Sequence, residues 1–321
     1  MGQMPTPTSQ EPRPNADRTP ADAIAAIGRG DFAPRDLTPL SDLGRADAAA
    51  LARAWPSFPP ADRERVVRTM AELAETNVQY IFGRALRIAL TDPSPVVRQL
   101  AVAALWEDQG LDLIPTLLDF VDADPSQDVR SEAAQGLGRF AELAAEDELD
   151  EEIAARLRAT LTDVAADPEE PYLVRRRALE SVAFFGDQPG IADLIRDAYD
   201  ADDAGLRAGA LYAMGRSLDV GWLEAVVHEF GSPDAEMRYE AARASGELAD
   251  DRAVPGLIRL ASDEDVEVRQ SAITALGRIG GTSSANALRR LANRAAAADR
   301  EAIEEALEEA LVSVDTLRLR T

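Results

Sequence analysis

One arginine returns along this chain at nearly constant intervals, and that recurrence constrains the fold more than any other feature. Its clearest setting is Ser262–Gly280, SDEDVEVRQSAITALGRIG, an acidic turn followed by an amphipathic helix. At 3.6 residues per turn, Val268, Ala272, Leu276 and Ile279 fall on one stripe, while Gln270 and Thr274 point away from it. The same frame appears as DPSPVVRQLAVAAL at Asp92–Leu105, DPSQDVRSEAAQGLG at Asp124–Gly138 and DPEEPYLVRRRALESVA at Asp167–Ala183. It appears again as DDAGLRAGALYAMG at Asp202–Gly215 and SPDAEMRYEAARASG at Ser232–Gly246. The anchoring arginines are Arg98, Arg130, Arg175, Arg207, Arg238 and Arg269, spaced by 32, 45, 32, 31 and 31 residues. Such a period specifies an all-α solenoid, in which each helical pair buries its apolar face only against its neighbours.

A chain of 321 residues would otherwise suggest two globular domains. Aromatic residues make up only 5% of it, and alanine and leucine dominate, which suits tightly stacked helices better than a sheet.

Residues 1–19 are rich in Pro, Thr, Ser and Gln and are expected to form a disordered leader, with too little apolar surface to offset the entropy of ordering. Residues 20–91 are expected to hold degenerate helical and capping repeats. A short helix is predicted over Ala21–Gly28, and another from about Thr38 to Trp55, ending before Pro56. The pair ADRERVVRTMAELAETN and VQYIFGRALRIALTD resembles the later units but lacks a clean arginine frame. Residues 92–280 carry the six regular frames. In each, a first helix (Leu111–Val121 or Val254–Ala261, for example) precedes a turn whose Asp or Ser is placed to cap the second helix, with Pro suited to its first turn.

Gly138, Gly215, Gly246 and Gly277 recur within second helices, where glycine costs up to about 1 kcal/mol relative to alanine. Their recurrence points to close helix-to-helix approach. The long interval between Arg130 and Arg175 reads as a loop with an acidic run, Glu146–Glu152, and a lengthened helix; acids there suit a helix N-terminus. Residues 281–321 are expected to form two C-terminal capping helices.

Charge narrows the partners. Fifty-eight acidic residues oppose 34 basic ones, for a net charge of −24, and every basic residue is an arginine. Nucleic-acid affinity comes largely from cations neutralising phosphates, so a polyanion is not the expected partner. The acidity is spread over nearly all the repeats. It matches the proteome-wide acidity of extreme halophiles, where strong salt screens self-repulsion, better than the alternative of an acidic protein from a GC-rich genome. Cysteine is absent, which removes disulfides, thiolate nucleophiles and cysteine metal sites together. No run approaches about 18 consecutive apolar residues and no apolar signal segment opens the chain, so a cytoplasmic protein without membrane contact is expected.

The units, D-x-x-x-V-R-x-x-A-x-x-A-L-G in their best copy, resemble the HEAT repeat, and more narrowly its short form, the PBS-lyase HEAT-like repeat. The whole is similar to HEAT-repeat proteins of halophilic archaea. The resemblance implies a right-handed α-solenoid whose second helices line the concave surface. It also implies that Arg98, Arg130, Arg175, Arg207, Arg238 and Arg269 form a structural ladder, bonding with turn aspartates between neighbouring repeats. A residue present in every repeat serves stacking, whereas a ligand site would occupy one or two.

Against that background the catalytic candidates are few. His228, the one histidine, lies among apolar neighbours in WLEAVVHEF. Deoxyhypusine hydroxylases, which resemble this architecture, hold two irons with several His-Glu pairs, and His228-Glu229 is the sole such pair here. No nucleophile elbow, P-loop or dinucleotide fingerprint appears in the context it needs. Chromophore lyases of this repeat type attach or detach bilins, but only the repeat itself points that way. HEAT-like DNA glycosylases use a basic concave groove, which the net charge opposes.

One surface strip remains. Positions one and five after the anchoring arginine project opposite the core stripe. They hold Arg176 and Glu180, Ala208 and Tyr212, Tyr239 and Arg243, and Gln270 and Thr274, with Arg177 alongside. Arginine and tyrosine are enriched where proteins bind proteins. The alternative is that the tyrosines lean on adjacent repeats and the arginines pair locally. The sequence therefore predicts a non-enzymatic scaffold or adaptor that binds another protein or peptide through Arg176, Arg177, Glu180, Tyr212, Tyr239 and Arg243. No catalytic, cofactor or metal residues are expected. The alternative is a lyase-like enzyme subunit or cofactor-dependent assembly component.

Overall fold

The structure is a computed structural model that describes residues 18–294 and 297–318. Among these residues there are 18 α-helices joined by short turns, and no strand. They fall into two compact units, one ending at Asp108 and the other beginning at Gln109. Most of the leader expected at residues 1–19 lies outside the described residues.

The first unit comprises α1 (Pro20–Gly28), α2 (Pro34–Leu37), α3 (Arg45–Ala54), α4 (Pro60–Thr76), α5 (Gly83–Ala89) and α6 (Pro95–Ala104). Thr19 caps α1 reciprocally: its hydroxyl accepts from the Asp22 amide while the Asp22 carboxylate accepts from the Thr19 amide. The single helix expected from Thr38 to Trp55 is instead broken in two. A 3₁₀ turn at Thr38–Leu40 is followed by Asp42 in the left-handed region at φ 50°, and α3 starts only at Arg45. The break is tertiary in origin: Leu40 and Leu43 are buried, and the Asp42 amide donates to the Ile81 carbonyl at 2.7 Å. Helical periodicity on both sides of the break concealed it.

The second unit comprises α7 (Ile114–Ala123), α8 (Gln127–Ala145), α9 (Glu151–Ala166), α10 (Tyr172–Val182), α11 (Ile191–Tyr199) and α12 (Ala204–Arg216). It continues with α13 (Leu223–His228), α14 (Ala235–Leu248), α15 (Val254–Leu260), α16 (Val266–Ile279), α17 (Gly281–Ala292) and α18 (Arg300–Arg318). Consecutive helices pair as hairpins, and the second helices α8, α10, α12, α14, α16 and α18 pack one on the next, forming an all-α repeat solenoid.

Each inner second helix has neighbours on three sides, and its composition follows. In α16, Val268, Ala272 and Leu276 are buried as the periodicity requires, but so are Ile273 and Ala275, while Gln270 and Thr274 stay exposed. A first helix such as α13 buries only Leu223 and Val226. The recurrent glycines set the spacing between second helices. A Cβ on Gly215 would sit 2.8 Å from Ala244 Cα, and one on Gly246 would sit 2.9 Å from Ala275 Cα, so neither position admits a side chain without separating the helices.

Capping follows two patterns. Asp203, Asp234 and Asp265 are N-caps that accept amides of the first turn. Ser94 and Ser126 occupy the N-cap position of α6 and α8 without a side-chain bond; there Asp92 and Asp124, two residues earlier, accept the serine amides. The long interval between Arg130 and Arg175 is mostly helix. The second helix α8 runs on to Ala145, the loop is confined to residues 146–150, and Asp150 caps α9 with Glu151 and Glu152 in its first turn.

Candidate functional site

Arginine does two different jobs in this molecule, and separating them locates the site. At the turn edge, Nη1 of the anchoring arginines donates to carbonyls at the end of the preceding helix. Arg98 bonds the Asp92 carbonyl, Arg130 that of Asp124, Arg207 those of Ala201 and Asp202, Arg238 that of Ser232, and Arg269 that of Asp263, all at 2.8–3.1 Å. Arg175 reaches the Ala165 carbonyl through Nε.

Several anchoring arginines also reach an acid of the next turn. Arg238 forms a two-pronged bond to Asp263 at 2.8 Å on both arms, Arg130 bonds Glu170, and Arg269 lies 3.6 Å from Asp299. Glu170 takes the place of Asp167, which lies eight residues before Arg175 where Asp92, Asp124 and Asp263 lie six before their arginines, and which accepts the Glu169 amide. The guanidinium of Arg238 holds the Asp263 carboxyl below the usual carboxylate range.

The first unit contains a rung that the repeat pattern did not reveal. Arg63 donates through Nη1 to the Phe58 carbonyl and through Nε to Asp92, both at 2.6 Å, and Trp55 Nε1 donates to the same carboxylate at 2.8 Å. Thus the segment expected to lack a clean arginine frame has an arginine doing the same work, preceded by Asp62 where four of the six later copies have valine.

The second-helix face of the second unit is built differently, because its residues change from repeat to repeat. Arg176 and Arg177 both bond Glu180, at 2.8 and 2.7 Å. Arg176 also crosses α12 to Glu236 of α14 at 2.6 Å. It passes over Gly209, where a Cβ would fall 2.7 Å from its Cγ. Arg243 donates to Glu240, to Glu247 and to the Tyr212 carbonyl, and its guanidinium lies 3.8 Å from the centroid of the Tyr212 ring. Burial raises the Glu240 carboxyl above its usual range, against the lowering effect of Arg243.

The structure thus brings Arg176, Arg177 and Glu180 into one cluster and Tyr212 and Arg243 into a second, with Tyr239 beside the latter. Two positions expected to project from the core are in fact buried, Glu180 beneath its two arginines and Ala208 between helices.

Positions one and five after the anchor do not exhaust this face. The ninth position carries it one turn further, with Arg139, Phe184, Arg216, Glu247 and Arg278 in successive repeats. The same 3.6-residue periodicity would have found this row. Arg216 and Arg278 each lie 3.8 Å from the Glu247 carboxylate, beyond hydrogen-bond distance, and their side chains are 35% and 45% exposed.

A cavity of about 550 Å³ opens here, lined by Tyr239, Arg243, Glu247, Gln270, Thr274 and Arg278 together with Tyr212 and Arg216. A second, of about 340 Å³, adjoins it across Tyr239 and Glu267 and is lined by Glu236, Glu240 and Asp265. Both lie along the furrow between α14 and α16, the first extending over α14 to Tyr212 and Arg216 of α12.

His228, by contrast, is exposed at the end of α13. Among the described residues, no group of three His, Cys, Asp or Glu side chains is placed to hold a metal ion. No helix among them is long and apolar enough to cross a membrane.

The class defined by this geometry is the all-α repeat solenoid. The family model described as HEAT repeats matches residues 83–155 and 222–308. No curated relative matches the sequence. Among solved structures, a chain of the complex of CpcE and CpcF of phycocyanin lyase from Nostoc sp. PCC7120 is similar at 16% identity and a TM-score of 0.53, over 90% of this chain and 99% of that one. Human deoxyhypusine hydroxylase is similar at 20% identity and a TM-score of 0.36, over 83% and 96%. A designed armadillo repeat protein is similar at 17% identity and a TM-score of 0.42, over 61% and 99%. At these identities the likeness is one of fold.

Proposed function

We propose that the protein is a non-enzymatic interaction scaffold that binds a protein or peptide on the second-helix face of its second unit. The observation that carries this is the furrow between α14 and α16. It presents the partly exposed Arg216 and Arg278 and a tyrosine, at positions whose residue changes from repeat to repeat, on helices spaced by constant glycine contacts. HEAT and armadillo solenoids commonly bind proteins, which agrees with this reading. Fold likeness to a lyase chain at 16% identity carries neither lyase activity nor a cofactor to this protein.

The test is affinity capture from a lysate of the source organism, comparing wild type with Tyr239→Ala/Arg278→Ala and with a control substituted on first helices, Arg196→Ala/Arg259→Ala. Loss of one reproducible partner from the furrow variant alone is the expected result. Identical partner lists from all three proteins would remove the furrow from consideration.

The same proposal places the protein in a cytoplasm of high salt, because its acidity is distributed and not gathered in a tail. The melting temperature is then expected to rise as NaCl increases into the molar range. A melting temperature independent of salt would contradict that placement.

A further inference from the structure

The furrow is electrically divided along its length. At one end three guanidinium groups, from Arg216, Arg243 and Arg278, lie within 4 Å of a single carboxylate. That carboxylate, Glu247, is 8% exposed. Its Oε1 accepts from Arg243, while Oε2 is buried against Gly215 and has no hydrogen-bond partner. Glu247 therefore gathers the arginines without bonding them all: Arg243 is satisfied by Glu240 and Glu247, whereas Arg216, with Glu142 also nearby, and Arg278 have no hydrogen-bonded carboxylate among the described residues. Arg216 is further held by the Tyr212 hydroxyl at 3.4 Å and lies near the Phe184 and Tyr212 rings, so its charge is held in place on the furrow wall.

The other end is negative. Glu236, Glu240, Asp265 and Glu267 line the adjoining cavity; Glu240 is bonded to Arg243, and Glu236, bonded to Arg176 on one oxygen, remains 48% exposed. Glu267 is exposed and has no ion-pair partner among the described residues. Tyr239 and Glu267 mark the border, lining both cavities.

We propose that this furrow binds a peptide segment carrying an acidic side chain and a basic side chain three to five residues apart, the carboxylate seated between Arg216 and Arg278 and the cation against Glu236 and Glu267. The spacing follows from helix geometry. From the level of Glu240 or Glu236 to that of Glu247 is about 10–16 Å along α14, at 1.5 Å per residue. An extended peptide covers that length in three to five residues at ~3.4 Å each. Arginine suits the anionic end because its planar fork matches a carboxylate with two parallel bonds. A nucleic-acid strand is disfavoured at the same place, because its uniformly charged backbone would have to cross the carboxylates at the other end. The inference rests on the interaction surface proposed above and adds the chemistry of its occupant.

A display selection on the full-length protein tests it, with a library of short random peptides as probe and a random single-stranded DNA pool in parallel. Recovered peptides are expected to be enriched in Asp or Glu three to five residues from Arg or Lys. Their recovery is expected to fall about ten-fold or more on Arg278→Glu, which removes the anionic seat and adds like-charge repulsion. Peptides lacking that spacing, yet lost on Tyr239→Ala, would overturn the charge pattern and leave the interaction surface standing. Peptides indifferent to both substitutions, or an empty selection, would overturn the surface as well. DNA retained in preference to every peptide would replace the peptide with a polyanion. Arg278 is half-exposed at the end of α16, and an unchanged circular dichroism melt confirms that the variant is folded.

Discussion

The turn edge and the α14–α16 furrow are both made of arginine and carboxylate, and they use the pair in opposite ways. At the edge the partners are largely saturated: Arg238 donates to two carbonyls of its own turn and to both oxygens of Asp263. Nearly the same geometry recurs at Arg130 and, in the first unit, at Arg63. In the furrow the partners are incompletely matched: Arg243 bonds Glu240 and Glu247, while Arg216 and Arg278 stand 3.8 Å from the Glu247 carboxylate. Repetition accompanies saturation because every repeat has the same turn to close. Variation accompanies the incompletely matched arginines, as the proposed binding surface requires, because a groove that is to discriminate among partners cannot present the same group at every step. The comparison teaches that in a solenoid the departures from the consensus mark the candidate site, and that a conspicuous arginine is not enough.

The largest expected effect tests the edge. Arg63→Ala leaves the Asp92 carboxylate buried without its cation, and the Trp55 indole cannot replace that charge. Removing one partner of a buried pair costs about 3–5 kcal/mol, read as a loss of unfolding free energy in urea. A cost under about 1 kcal/mol would show that this rung is dispensable.

Next comes the spacing that lets both regions exist. Gly246→Ala drives a methyl group to within 2.9 Å of Ala275 Cα and is expected to cost about 1–3 kcal/mol, with a lower melting temperature. If alanine were neutral there, the second helices would have slack that the packing does not suggest.

A smaller effect separates the two regions by pH. Asp263 titrates below its ordinary value of 3.8 because Arg238 bonds its charged form. A depressed folded-state value means that its stabilising contribution is complete above the unfolded value and is lost as pH falls through the folded one. Glu240 has the opposite sign: burial raises it above 4.5, so its ionisation opposes folding, and its contribution favours the folded state at low pH and declines as pH rises through the raised value. Melts between about pH 2 and 6 should therefore show a shallower acid limb for Asp263→Asn than for wild type. An unchanged limb would remove Asp263 from the acid transition.

The smallest stability effect belongs to the furrow. Arg278→Ala is expected to change stability by no more than about 0.5 kcal/mol, since the side chain is half-exposed and lies 3.8 Å from Glu247. A substantially larger cost would make this arginine part of the scaffold.

Much of this fold was legible before any coordinates. The constant arginine spacing and the Ala/Leu/Val stripe specified paired helices in register, and the recurrent glycines announced close approach, because these demands fall on every repeat alike. The first unit was less legible. Arg63 performs the ladder's work in a segment without the consensus valine, and the break at Ser41–Gly44 depends on a bond from Asp42 to Ile81, some forty residues away. Periodicity registers neither, since it reports only a helix's own face.

The candidate site divides in the same manner. The sequence by itself determined which residues could stand on the second-helix face, because side-chain direction along a helix follows from position. Tertiary structure alone decided which of them are already engaged. Arg176 reaches across α12 to Glu236 only because Gly209 lies beneath it, and Arg243 is committed to Tyr212, Glu240 and Glu247. Arg216 and Arg278 are left without a hydrogen-bonded carboxylate among the described residues because Glu247, from the helix between theirs, comes no nearer than 3.8 Å to either. Those are distances between residues some thirty positions apart, and only the stacking of one repeat on the next sets them.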